Sequence, residues 1–371
     1  MTKRNNTTAP FAPAGALLLL DRRNAMKRII SAILITILLC SLCFTTGCGL
    51  FDALFDRVPT TYDDPEEYTA GNTEFEGKVD TFNIWWLEGS VTVKTHAEST
   101  VRIEESANKT LDETFSLHWR YKEGVGEYGN VLYIYYSASG KFDFGDLKKD
   151  ITVYLPENDG MDISITTDAA SVEVDASSTE NTLRELFIGT NSGKVSAKIH
   201  SAEEVRISGQ NDEDVPESNR EFFFRATDTV DDLGISSSYA RLDIAAKTVE
   251  YGEVMTVFAD LYFSADRARR LTLENSDGKT VATVLDFDTL DIDAPFAPCE
   301  LTLSPDASFE LTLKDKNRYN HKLSPKNVSI ELDGVSGSGM LYTVGTGEDK
   351  ITVATDSDLR IVPFVGEDAA E

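Results

Sequence analysis

The sequence contains little of the residues that most often carry out chemistry, since it has only four histidines, four cysteines and three tryptophans. The histidines are dispersed along the chain and form no metal-type spacing with cysteine or with each other. The sequence also lacks the signatures of serine hydrolases, phosphate-binding loops, zinc proteases and dinucleotide-binding folds. These absences favour a protein that is not an enzyme and that needs no cofactor.

Positive charge is scarce as well. The 371 residues include 35 lysines and arginines against 63 aspartates and glutamates, a formal net charge of −28. Binding to a polyanion needs a basic patch, and no dense basic cluster follows Arg28. Nucleic acid is therefore not an expected partner. The chain is nevertheless 41% apolar, which is too hydrophobic for a disordered protein.

The N-terminal region has the layout of a secretory signal. Met26, Lys27 and Arg28 form a short positive segment, and residues 29–44 form an uncharged apolar run. Residues 1–25 do not belong to this layout. We therefore predict that translation starts at Met26 and that residues 1–25 are a mis-assigned start.

The apolar run ends in Thr45-Thr46-Gly47-Cys48. This stretch resembles the lipobox of bacterial lipoproteins, with threonine in the place where leucine is usual. The resemblance implies a signal peptide over 26–47, cleavage between Gly47 and Cys48, and acylation of Cys48. Membrane lipid would then be a partner, and the protein would lie on the extracytoplasmic face of the bacterial membrane. An uncleaved span over 29–47 and a freely secreted product are the alternatives.

The other cysteines do not indicate disulfides. Cys40 and Cys43 lie within the predicted signal, which leaves Cys299 as a lone thiol beside the apolar strand pattern "CELTL". We interpret Cys299 as a small buried hydrophobic residue.

The remaining chain divides by composition into a tether, a strand-rich body and a tail. Residues 48–78 are rich in Pro, Asp, Glu and Thr and are predicted to be a flexible tether that follows the acylated cysteine. Residues 79–363 alternate apolar and polar positions in short runs bounded by turn residues, which is typical of β-strands. A mixed stretch suggests a junction near 245–270, and residues 364–371 form an acidic tail.

An internal repeat predicts how these strands are arranged. "ITTDAASVEV" at 165–174 aligns with "IGTNSGKVSA" at 188–197 at an offset of 23, with apolar residues matching apolar ones and turn residues matching turn residues. A unit of this length cannot bury its apolar face alone and must stack on its neighbours. The predicted fold is therefore an all-β solenoid of the β-helix or β-roll type, with a β-sandwich as the alternative.

The stretch "KDITVYLPENDGMDISITTDAASVEVDA", followed by "LFIGTNSGKVSAKIHSAEEVRI", resembles the bacterial putative-adhesin family of β-strand-repeat proteins, a domain of unknown function. The similarity extends over about 79–363. It implies a β-solenoid-like fold and an envelope location, and it transfers no catalytic residues. In this chain Asp168-Ala169-Ala170 replaces the glycine-containing turn that Asn191-Ser192-Gly193 retains.

Two further patterns are candidate binding sites. Trp85, Trp86, Tyr133 and Tyr135 could form an aromatic patch that stacks on sugar rings. The acidic segments 227–234 and 274–280 could offer oxygen ligands to Ca²⁺, although Asp, Asn and Gly are also ordinary turn residues.

Together these patterns predict a lipid-anchored, non-catalytic envelope protein that presents a β-repeat surface for adhesion, binding or scaffolding. A cell-wall glycan or another envelope protein is the expected partner. The alternatives are a carbohydrate-active enzyme of the polysaccharide lyase or hydrolase type on a β-helix, and an accessory protein of envelope stress or signalling.

Overall fold

The computed structural model describes residues 58–177, 182–210, 220–317 and 319–365. The predicted start at Met26, the signal peptide, Gly47, Cys48 and most of the acidic tail lie outside the described residues. The described residues include no helix that is long and apolar enough to cross a membrane.

The regular secondary structure of the described residues consists of strands and two short 3-10 helices, Pro65–Glu67 and Gly126–Tyr128. The strands are β1 (Thr69–Ala70), β2 (Thr73–Glu76), β3 (Thr81–His96), β4 (Thr100–Ala107), β5 (His118–Lys122), β6 (Val131–Tyr135), β7 (Lys149–Pro156), β8 (Asp162–Ala176), β9 (Thr182–Thr190), β10 (Val195–Ile199), β11 (Ser201–Gly209), β12 (Glu221–Ser237), β13 (Arg241–Thr256), β14 (Leu261–Asn275), β15 (Thr280–Asp293), β16 (Cys299–Leu303), β17 (Phe309–Leu313), β18 (Val328–Ile330), β19 (Val335–Ser338), β20 (Leu341–Val344), β21 (Asp349–Ala354) and β22 (Leu359–Pro363).

Alternation along each strand explains why these segments are extended. In β14, Leu261, Phe263 and Ala265 are buried, whereas Tyr262 and Ser264 between them are only partly buried. Successive side chains of a strand point to opposite faces, so one face of β14 enters the core and the other meets solvent. A helix would scatter the same apolar residues around its surface.

The strands stack as the rungs of a parallel solenoid. Leu242 of β13, Leu261 of β14, Thr280 of β15 and Cys299 of β16 pair in register, so they occupy the same position on successive rungs. Adjacent strands lie about 4.8 Å apart, so equivalent side chains repeat along the stack at that spacing.

Most of the strands belong to two long parallel ladders. The first runs β6, β3, β8, β9, β11, β12, β13, β14, β15, β21, β17. The second runs β7, β3, β8, β10, β12, β13, β14, β15, β16, β22, β18. The longest strands belong to both ladders, each with one half in the first ladder and the other half in the second. Apolar side chains from both ladders form one continuous core.

The internal repeat is confirmed residue by residue. Ile165 pairs with Ile188 in the first ladder, and Val172 pairs with Val195 in the second. The side chain of Asn191 donates to Asp168 at 2.9 Å, 23 residues earlier in the chain. The all-β solenoid is therefore confirmed, and the sandwich alternative is wrong, because sandwich sheets are antiparallel whereas these ladders are parallel.

A glycine allows the two repeats to approach closely at their turns. A Cβ at Gly193 would lie 2.0 Å from the carbonyl oxygen of Ala170 and 2.7 Å from Oγ1 of Thr190. Thr190 Oγ1 also accepts a hydrogen bond of 2.8 Å from the Gly193 backbone N–H. The turn that retains glycine, at Gly193, is thus the one that packs against the Ala170 carbonyl of the preceding repeat.

The prediction of a flexible tether over 48–78 is wrong for residues 58–78, because these residues pack on the body. Val58 is buried, β1 pairs with β5, and β2 pairs with β4. The ring of Phe75 in β2 stacks on Trp119 with centroids 5.3 Å apart. The alternating Thr-Glu-Phe-Glu pattern of β2 lay within an acidic stretch, and that composition obscured its strand character.

The predicted junction near 245–270 is also wrong. β13 and β14 pair in register across this stretch, from Leu242 with Leu261 to Thr256 with Asn275. The stretch looks mixed because charged residues such as Arg267 and Arg269 occupy outward positions of an uninterrupted rung.

Cys299 fulfils its prediction. It is 2% exposed at the start of β16, and burial raises the pKa of its thiol to about 12. A thiol with so high a pKa is a poor nucleophile at neutral pH, because the reactive form is the thiolate.

Candidate functional site

The predicted aromatic patch is partly present on the outer face of the first ladder. The ring of Trp85 in β3 stacks on Tyr135 of β6, with centroids 4.6 Å apart and planes 13° apart, and lies parallel to Tyr133 at 6.4 Å. Trp85 and Tyr135 are register partners on adjacent strands, which explains their overlap. All three side chains are partly exposed.

Two tyrosines from the N-terminal segment extend this patch. Tyr62 stacks on Tyr135 at 4.2 Å, and Tyr68 meets the edge of the same ring at 5.6 Å. Burial raises the pKa of Tyr62 and of Tyr135 to about 12, so both phenols stay neutral at physiological pH. We call Trp85, Tyr133, Tyr135, Tyr62 and Tyr68 the aromatic ladder.

Trp86 does not join the aromatic ladder, and the prediction that it stacks on a ligand is wrong. It points into the core, is 0% exposed, and donates its indole N–H to the Lys149 carbonyl at 2.9 Å. Neighbouring residues of a strand face opposite sides, so Trp85 and Trp86 cannot both lie on the outer surface.

A fully buried lysine lies beside Trp86. Lys149 Nζ is 2.6 Å from Glu105 Oε1, donates to the Phe115 carbonyl at 2.8 Å, and also donates to the Tyr136 carbonyl. It lies 4.2 Å from the centroid of the Tyr136 ring. Burial lowers the pKa of Lys149 to about 8, although Glu105 opposes that shift.

The outer face of the first ladder also carries a column of acidic residues. Asp162 pairs with Glu185, Glu185 with Glu204, and Glu204 with Asp232, so four adjacent strands each present one carboxylate at the same position. We call these four residues the carboxylate column. Their intervals in the sequence are unequal, because the rungs between β8 and β12 differ in length, and sequence reasoning therefore missed them.

Arginines neutralise the two ends of the carboxylate column. Arg184 Nε donates to Asp162 at 2.7 Å, and Arg206 Nη2 donates to Asp232 at 2.7 Å. Glu185, between them, behaves differently. Burial raises its pKa, and the negative charges of Glu204 and Asp162 raise it further. Within the carboxylate column, Glu185 therefore has a pKa above the usual value for glutamate, whereas Asp162 and Asp232 are each paired with an arginine.

Of the two segments predicted to bind calcium, 227–234 lies within β12 and 274–280 spans the turn between β14 and β15. In 227–234, Asp228 lies 3.5 Å from Lys247 and Asp232 pairs with Arg206. In 274–280, the side chain of Asn275 donates to the Lys279 carbonyl at 3.2 Å within the turn between β14 and β15. Among the residues that the structure describes, no group of three or more His, Cys, Asp or Glu side chains is placed to hold a metal ion.

These features define the chain as a parallel β-solenoid with an aromatic ladder and a carboxylate column on one outer face. No protein-family model matches the chain, and no curated protein matches it. Among solved structures, it is similar to a "putative cell adhesion protein" from Clostridium sporogenes, with 10% identity and a TM-score of 0.19 over 80% of this chain and 100% of that one. It is also similar to a "putative adhesin" from Bacteroides fragilis, with 8% identity and a TM-score of 0.32 over 80% of this chain and 97% of that one.

Proposed function

We propose that this protein is a non-catalytic, lipid-anchored protein of the bacterial cell envelope whose solenoid presents a surface for adhesion, binding or scaffolding. The observation that carries this proposal is the in-register stacking of the two ladders. Equivalent outward side chains repeat at about 4.8 Å along one direction, which suits contact with an extended polymer or with another repeat surface.

The aromatic ladder is the part of this surface best suited to hold a ligand. Trp85 lies parallel to both tyrosines of β6, with its ring centroid 4.6 Å from that of Tyr135 and 6.4 Å from that of Tyr133. Aromatic rings offer a large rigid apolar area together with a polar tip, and both suit a sugar or a partner protein.

Binding by the aromatic ladder is tested with Trp85→Ala. The purified full chain is titrated with soluble cell-wall glycan fragments and followed by calorimetry. We expect the variant to bind at least about tenfold more weakly than wild type, as for an aromatic anchor. Phe142→Ala is the matched control, since Phe142 is 70% exposed and outside the ladder. Equal losses in both variants, or no binding to any fragment by wild type, would contradict this role.

The lipid anchor is tested by growing producing cells with a clickable fatty acid and comparing Cys48→Ala with Cys43→Ala. The lipobox predicts that label persists in Cys43→Ala and disappears in Cys48→Ala. An acyl chain contributes about 0.8 kcal/mol per buried methylene to retention at the membrane. Label that persists without Cys48, or that never appears on wild type, would contradict the anchor and leave an uncleaved span or a secreted product.

The carboxylate column favours a second candidate function, a carbohydrate-active enzyme. Glycoside cleavage uses one carboxyl with a raised pKa as the acid and a second, ionised carboxylate beside it. Burial raises the pKa of Glu185, and Glu185 pairs in register with Glu204, which lies 3.1 Å from Arg206. Release of reducing ends from a polysaccharide panel, lost in Glu185→Gln and retained in Glu173→Gln on the second ladder, would support this function against the first. No release by wild type would leave the binding role.

A further inference from the structure

An open cleft lies at one edge of the solenoid, where the chain turns after β12 and after β13. Its volume is about 670 Å³, which lies within the range of pockets that hold small ligands. Its lining includes Arg220, Glu221, Tyr239, Arg241, Phe258 and Asp260. We call it the edge cleft, and it is separate from the aromatic ladder.

Two stacked rings form an apolar shelf in the edge cleft. Tyr239 and Phe258 occupy the same position in successive turns, and the Phe258 backbone N–H donates to the Ser238 carbonyl at 3.0 Å. Their ring centroids are 4.9 Å apart and their planes 24° apart. Phe258 is 53% exposed, so the ring presents open surface to a ligand. The C–H face of a sugar ring is flat and apolar enough to pack on such a ring.

The acidic groups of the edge cleft already have partners. Glu221 accepts from Lys194 at 2.7 Å. Asp260 accepts from the Lys279 backbone N–H at 2.9 Å and from the Tyr262 hydroxyl at 3.1 Å. Both carboxylates are therefore engaged with donors of the protein itself.

The basic groups of the edge cleft are not engaged in the same way. Within the described part of the chain, neither Arg220 nor Arg241 has an ion-pair partner. Arg220 Nε is buried without a hydrogen-bond acceptor, and the Arg241 guanidinium lies 4.6 Å over the Tyr262 ring. No carboxylate of the described residues thus pairs with either guanidinium group, although the chain has 63 acidic residues. Arginine binds carboxylates through two parallel hydrogen bonds.

We propose that the edge cleft binds a carboxylated saccharide, with a sugar ring on Phe258 and its carboxylate on Arg220 and Arg241. This inference shares with the proposed function only the premise that the protein acts by binding a ligand. The net negative charge of the chain opposes an acidic ligand at long range. That repulsion is screened beyond about 8 Å at physiological ionic strength, whereas the contacts with arginine act at hydrogen-bond distance.

The test is a calorimetric titration of the purified full chain with trigalacturonate at physiological ionic strength. We expect Phe258→Ala and Arg220→Gln each to weaken binding at least about tenfold. Two matched controls should stay within about twofold of wild type. Phe296→Ala removes a phenyl ring that is 57% exposed and lies outside the edge cleft. Arg270→Gln removes a guanidinium group that lies over the Tyr251 ring, also outside the cleft.

The neutral trisaccharide cellotriose separates the two halves of the proposal. Its binding should depend on Phe258 and not on Arg220, because it has no carboxylate. The proposal is overturned if wild type does not bind trigalacturonate, if the controls lose as much affinity as the cleft variants, or if an acidic peptide displaces the sugar while cellotriose does not bind. Trp85 is outside the edge cleft. If Trp85→Ala still binds trigalacturonate, the sugar binds at the edge cleft and not at the aromatic ladder.

Discussion

At the scale of single residues, the buried pair of Lys149 and Glu105 is the most consequential feature. Glu105 also accepts the Leu117 backbone N–H at 2.9 Å, so it links β4 to the segment before β5. Lys149 links the start of β7 to the carbonyls of Phe115 and Tyr136. The pair thus connects segments at the N-terminal end of the solenoid, where strand pairing turns antiparallel.

Removing the charge of Glu105 should leave a buried lysine without its counter-ion. We expect Glu105→Gln to lower the free energy of unfolding by about 3–5 kcal/mol, measured by urea denaturation. Glu104→Gln is the matched control, because Glu104 is the adjacent residue and its side chain is 53% exposed. A loss below about 1 kcal/mol in Glu105→Gln would show that the pair does not hold this end together.

The lowered pKa of Lys149 predicts an unusual dependence of stability on pH. The pKa of Lys149 is about 8 in the folded chain and 10.5 in the unfolded chain. Between pH 8 and pH 10.5, the unfolded chain therefore holds this proton more often than the folded chain does. Stability rises with pH wherever the unfolded state holds more protons. We therefore expect wild type to gain stability relative to Lys149→Met from pH 8 to pH 10, by at most about 3 kcal/mol. A constant difference between the two across this range would contradict the shift.

At the scale of elements, the repeat depends on turns that allow adjacent rungs to approach. The Gly193 turn lies under the Ala170 carbonyl, and β9 and β10 meet there. β9 belongs to the first ladder and β10 to the second, so this turn sets how the chain passes between them. The backbone on both sides is fixed by strand pairing and cannot shift freely.

A side chain at this turn should therefore strain both rungs. We expect Gly193→Ala to lower the free energy of unfolding by about 1–3 kcal/mol, as overpacking does elsewhere. Ser192→Ala, in the same turn, is the control: it removes one exposed 3.3 Å hydrogen bond from the hydroxyl to the Asp168 carbonyl and should cost no more than about 0.5 kcal/mol. Thermal unfolding followed by circular dichroism measures both. Equal stability of Gly193→Ala and wild type would show that the turn can open.

At the scale of the whole molecule, one sign of charge dominates the surface. The 371 residues have a formal net charge of −28, and outward side chains of the stacked strands are spaced at about 4.8 Å, so carboxylates repel one another along the ladders. Cross-strand pairs such as Arg225 with Asp243, at 2.6 Å, reduce this repulsion locally.

Added salt should therefore stabilise the protein. We expect Tm to rise by a few degrees between 10 mM and 300 mM sodium chloride, because screening weakens repulsion among the excess carboxylates. Differential scanning calorimetry measures the change. A chemically amidated sample, with many carboxylates neutralised, should respond less. A fall in Tm with salt would mean that the ion pairs between strands outweigh the repulsion.

Much of the strand content and the stacking could be predicted from sequence, because strand alternation and the repeat at an offset of 23 are local patterns. The pairing of Ile165 with Ile188 follows directly from that alignment. The aromatic patch was predicted only in part, since alternation places Trp86 on the side opposite Trp85. The role of Tyr62 and Tyr68 was not predicted, because their segment has the composition of a tether.

The sequence by itself determined the fold class, the buried state of Cys299 and the acidic character of the surface, because each follows from residue type and short-range periodicity. Outside the aligned repeat, only the tertiary structure decided which distant side chains meet. The carboxylate column, the pair of Lys149 with Glu105, and the edge cleft combine residues from different rungs. Rungs of unequal length conceal such neighbours in a linear reading, and stacking at a fixed spacing brings them together.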